Sequence, residues 1–114
     1  MRMNEQQLIL TYERILAATG LMLDAARQGD WDRLTGLERG CRAEVDGLIA
    51  LGDSQPQLPE PLRQRKTQII RSVLADDAEI RRITEPAMSQ LEQLIGNLGN
   101  QRKLAKSYGA QPLG

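Results

Sequence analysis

From residue 4 onward, apolar positions recur at alternating intervals of three and four. Leu8, Tyr12, Ile15, Thr19, Met22 and Ala26 are separated by 4, 3, 4, 3 and 4 positions, the spacing that stacks side chains along one stripe of an α-helix. Ile9, Leu16 and Leu23 widen the stripe, so a first helix is predicted over about 4–28. Gly29 then offers the left-handed conformation that ends a helix, and Asp30 offers a carboxylate to the free N–H groups that open the next. A second helix is predicted over about 31–51, with Leu34, Leu37, Cys41, Val45 and Leu48 on one face. Trp31 stands beside the turn and is expected to cover the end of the core. Gly52 closes this segment, and Pro56, Pro59 and Pro61 mark a loop.

The third segment is longer. Leu62, Ile69, Val73, Ile80, Ile83, Ala87, Leu91, Leu94 and Leu98 keep one phase, predicting a helix over about 60–98. At 1.5 Å per residue it would span roughly 55 Å, more than either partner, so it must project or bend. Pro86 removes a backbone donor and clashes with the preceding turn. Because the apolar phase survives across it, a kink is expected there rather than a break. Gly96 and Gly99 then loosen the chain, and a separate short helix over about 101–108 is expected, with Leu104 and Tyr108 on one side. So short a helix must dock to persist. The expected architecture is all-α: an antiparallel up-down-up bundle over 1–98, followed by a mobile segment over 99–114.

Composition narrows the chemistry. The 114 residues contain no His, one Cys and three aromatic residues, Tyr12, Trp31 and Tyr108. Without His there is no histidine base, triad or imidazole ligand. A single Cys excludes an internal disulfide and a cysteine-rich zinc site. Cys41 falls on the core stripe and reads as an inert packed thiol. Asp30 with Asp32 and Asp76 with Asp77 are the only close aspartate pairs; one caps a helix and the other reads as helix surface, without the crowding that acid–base work needs. No phosphate loop or nucleophile elbow is present. Hence no catalytic residue, cofactor or metal ligand is expected. The lone thiol and the lack of a signal segment or long apolar run make a cytoplasmic protein without membrane insertion the expectation.

Charge cancels only in sum. Fifteen Lys and Arg balance fifteen Asp and Glu, yet residues 1–60 carry 6 basic and 10 acidic side chains and residues 61–114 carry 9 and 5. No acid follows Glu92. Arg63, Arg65, Lys66 and Arg71 cluster, as do Arg81 and Arg82, but acids lie between them and no aromatic residues interleave to stack on bases, so direct nucleic-acid binding is not expected.

Surplus apolar surface is the more informative signal. Leu10, Ala17, Ala18, Leu21 and Ala25 fall away from the first stripe. Gly36, Gly40, Ala43, Gly47 and Ala50 make a smooth strip on the second helix, and Ile70, Leu74, Met88 and Ile95 flank the third. Broad core faces or a homodimer would absorb this surface. So would a groove for a partner helix, which small residues let approach closely. Glycine within a helix costs about 1 kcal/mol relative to alanine, so the strip calls for a packing reason. Gly36, Gly40, Ala43, Gly47, Ile70, Leu74, Met88 and Ile95 are therefore the candidate partner-binding residues.

The ordered features resemble a known family. They are Tyr12 with Ile15, then LMLDAARQGDWDRLTGLE, CRAEVDGLIAL, a proline loop, SQLEQLIGNLG and KLAKSYG. Nearly the whole chain is similar to the FliT family of flagellar type III export chaperones. The resemblance implies binding to the C-terminal helical region of the filament cap protein FliD, and delivery to the export ATPase and export gate. In some bacteria it also implies antagonism of the master flagellar transcription regulator. It further implies a C-terminal helix that masks binding surface, with Arg102, Leu104 and Tyr108 as the regulatory and gate-docking candidates. Pro86 departs from the uninterrupted long helix of that family. The alternatives are a homodimeric helical adaptor with no export role and a DNA-binding regulator.

Overall fold

The computed structural model describes the backbone of residues 3–107 and the side chains of residues 3–97. Three α-helices account for it: α1 (Glu5–Gln28), α2 (Trp31–Leu51) and α3 (Glu60–Ser107), with a 3₁₀ turn at Gly52–Ser54. No strand occurs among the described residues. By contacts the chain divides into two compact units, 1–81 and 82–114.

Local chemistry explains the boundaries. Asn4 Oδ1 accepts from Gln7 N at 2.8 Å, and Gln7 Oε1 accepts from Asn4 N at 2.9 Å. This reciprocal pair satisfies two of the donors that a helix start leaves free. Gly29 ends α1 at φ 70°, in the left-handed region that an L side chain rarely adopts. Its N–H and that of Asp30 reach back to carbonyls of the last turn, and Asp30 then accepts from Arg33 N to open α2. A two-residue link of this kind leaves α2 no course but to fold back along α1.

In the first unit the core gathers on α1. Leu8, Ile15 and Leu48 form its buried centre, with Tyr12, Val45, Leu58 and Val73 packed against them. Ile69 and Ile80 of α3 are also buried. Polar pairs then fix the helices to one another. Arg14 Nε meets Glu44 Oε1 at 3.1 Å, joining α1 to α2. Arg65 donates twice to the Glu13 carboxylate, at 2.7 and 2.9 Å, and Thr19 Oγ1 donates to Asp76 Oδ2 at 2.8 Å. Those last two pairings advance the same way along both helices, so the first part of α3 runs parallel to α1.

Several expectations change. Ala25, placed away from the first stripe, is fully buried, because its small side chain lies at the two-residue link where α1 and α2 converge. Trp31 is 43% exposed and covers the core end only in part. Along the α3 stripe full burial runs only as far as Ile80 and partial burial to Ala87, while Leu91 and Leu94 are exposed. Helices of 24 and 21 residues can flank only about that much of a 48-residue partner. The helix does not break at Pro86, as expected, but it also runs on through Gly96 and Gly99 to Ser107, so residues 101–107 continue α3 instead of starting a separate short helix. Extending a helix past two glycines costs less than nucleating a new one from a 16-residue remainder.

Candidate functional site

An apolar cleft of about 250 Å³ opens on the first unit. Tyr12 and Ile15 of α1 form its floor. Val45, Leu48 and Ile49 of α2 make one wall, and Ile70, Val73 and Leu74 of α3 make the other. Gln55, just beyond the 3₁₀ turn, closes one end. Its Nε2 donates to the carbonyl of Leu48 at 2.9 Å, so its amide is anchored.

The lip of this cleft is oily and exposed. Ile49 is 70% and Leu74 61% accessible, and Ile70 is also exposed. Large aliphatic side chains side by side in water mark an interaction surface more than scattered single ones do. Tyr12 is half-buried, and Lys66 Nζ lies 5.6 Å from its ring centroid, within cation–π range.

The titratable groups nearby serve structure. The Arg65 guanidinium hydrogen-bonded to Glu13 holds that carboxyl below the usual carboxylate range, and Arg65 is raised in turn. Burial pushes the Cys41 thiol up, with smaller contributions from Glu38 and Glu44, so it stays protonated and unreactive near neutral pH. Among the described residues no group of three His, Cys, Asp or Glu is placed to hold a metal ion. No helix among them is long and apolar enough to cross a membrane.

The candidate residues read from the sequence fall into separate places. Ile70 and Leu74 line the cleft. Gly36, Gly40 and Gly47 have open space where a Cβ would be, and Ala43 is exposed beside them. By helical phase this strip lies opposite Val45, on the far side of α2 from the cleft. Met88 and Ile95 belong to the second unit, where both are exposed along with Leu91 and Leu94. Arg102 and Leu104 lie on the helical backbone of α3, outside the residues with described side chains, and Tyr108 lies outside the described residues. Sequence reasoning missed Tyr12, Ile15, Val45, Leu48, Ile49, Gln55 and Val73 as cleft residues. Ile49 carried a signal: it is apolar, follows Leu48 and falls off the leucine face.

Comparison with known proteins bears on the whole chain. Residues 9–110 match the family described as "Flagellar protein FliT". Among curated proteins the chain is similar to the flagellar protein FliT of Yersinia pseudotuberculosis serotype O:3, strain YPIII, at 31% identity over 94% of this chain and 88% of the relative. Similarity to the protein of the same name from Photorhabdus laumondii is 28% over 96% and 87%. For Yersinia pestis strain Pestoides F it is 30% over 94% and 88%. No solved structure matches.

Proposed function

The chain belongs to the FliT family of flagellar proteins, and from that premise we propose that it is a type III export chaperone for the filament cap protein FliD. In this reading it binds the C-terminal helical region of FliD, prevents premature assembly, and delivers the cap protein to the export ATPase and export gate. The cleft between α2 and α3 carries the proposal. Three helices with an exposed aliphatic groove are one helix short of a four-helix bundle. A partner helix laid along Ile49, Ile70 and Leu74 would supply the fourth and cover apolar surface now in water. Binding of that kind needs no catalytic group and is consistent with the lack of His.

The test is calorimetric titration of the full chain with FliD and with FliD truncated at its C-terminus. Binding by the first and none by the second supports the reading; equal binding by both overturns it. Ile49→Asp should weaken the interaction at least tenfold while leaving the melting temperature near that of the parent. In the same reading, deletion from Gly99 onward tightens FliD binding. Tyr108→Ala spares the fold and weakens export-gate binding in a pull-down titration.

A second reading, a homodimeric adaptor, draws on the exposed Met88, Leu91, Leu94 and Ile95 of the second unit. A monomer mass that does not change with concentration in sedimentation would eliminate it.

A further inference from the structure

Beside the apolar cleft, α3 carries a second hollow of about 500 Å³, running from Glu60 and Arg63 to Gln68 and Arg71. The two hollows adjoin along one helix: Arg71 follows Ile70 and precedes Leu74 by three positions, and that spacing places side chains next to each other. Between Glu60 and Asp76 the chain has four cations and no acid. Three of them are engaged: Arg63 with Glu60, Arg65 with Glu13, and Lys66 over the Tyr12 ring. Arg71 is exposed and has no ion pair among the described residues. Lys66 faces a ring and not a carboxylate, so it can still meet a partner's acid. On the opposite wall, Asp46 stands one turn before Ile49.

We propose that the cleft selects an amphipathic helix whose apolar edge is bordered, on the side facing α3, by carboxylates that reach Arg71 and Lys66. The proposal deepens the chaperone reading, resting on the cleft as a helix-docking site, and adds the partner's charge pattern. Aliphatic residues of the partner fill the cleft and provide affinity. Its acidic border sets the side-to-side orientation of the helix and speeds encounter, because rim charges act mainly on specificity and association rate.

The experiment uses the full chain and three synthetic helical peptides with one leucine stripe, bordered on one side by Glu, Gln or Lys. Titration at about 50 mM salt should rank them Glu, Gln, Lys, with at least about a fivefold gap between the extremes. At about 500 mM salt the Debye length is only a few ångströms, and the gap should close. Arg71→Gln should narrow it and Arg71→Glu should invert it, with unchanged circular dichroism, since Arg71 makes no structural pair. Equal affinities, failure of all three peptides to bind, or a ranking indifferent to Arg71 overturns the proposal. So does Arg71-dependent binding of a single-stranded oligonucleotide without discrimination among peptides, which would assign the cations to a phosphate backbone. If the ranking holds while FliD fails to bind, the charge rule stands and the choice of cargo falls. If FliD binds while the peptides bind equally, the cargo stands and the charge rule falls.

Discussion

Burial separates side chains that hold the fold from those available to a partner. Leu8 and Ile69 have essentially no contact with solvent. Truncating either to Ala should cost about 2–5 kcal/mol, as for other large aliphatic residues in tight cores. Ile49 is an equally large aliphatic with most of its surface in water. Ile49→Ser should leave stability within about 0.5 kcal/mol in urea unfolding and register only in partner binding. The Glu13–Arg65 pair makes a different prediction. Its folded-state carboxyl titrates below the unfolded value, so its stabilisation is present above the ordinary glutamate range and is lost as pH falls through the lowered value. Glu13→Gln should therefore melt lower than the parent at pH 7 and converge with it in acid, once the pH has fallen through the lowered value. A gap independent of pH would show that the ion pair is not its source. The sequence marked Leu8, Ile15 and Thr19 as stripe residues because periodicity reports which face turns inward. It did not mark Ile49 as a cleft residue, because a cleft is the space between two helices and no single helix encodes it.

At the scale of the element, sequence and structure agree where chemistry is local. The first two helices end and begin where Gly29, Asp30 and Gly52 required, since a left-handed turn and a capping carboxylate act over four residues. They diverge in α3, where the competition is between continuing and restarting a helix. Two glycines read as a break, yet helical geometry passes through both. The glycines of α2 show the same tolerance. With nothing within 4 Å of a built Cβ at Gly36, Gly40 or Gly47, each substitution by Ala should stabilise the chain by about 0.5–1 kcal/mol, read as a higher melting temperature. The same three variants decide whether the strip serves a partner. Unchanged FliD affinity confines docking to the α2–α3 cleft, whereas a loss shows that a helix approaches the bare backbone on the other side.

At the scale of the whole molecule, every buried apolar side chain among the described residues lies at or before Ile80: Leu8, Ile15, Ala25, Ala26, Leu48, Ile69 and Ile80. The polar pairs joining α1 to α2 and α3, and all residues lining the cleft, lie in the same unit. The means of folding and the proposed means of binding therefore reside together in residues 1–81, and the remaining helix adds no buried side chain among the described residues. A chain ended after Ile83 keeps the half-buried Ile83 and stops in a helix whose last carbonyls face water. It should still unfold in one cooperative transition, with a melting temperature within a few degrees of the full chain. It should also bind FliD at least as tightly, since nothing that lines the cleft has been removed. Circular dichroism melting and calorimetry on the two lengths read both quantities. A non-cooperative melt would show that the second unit shares in the core. Cooperative folding with lost binding would place the docking surface on Met88, Leu91, Leu94 and Ile95 instead of the cleft.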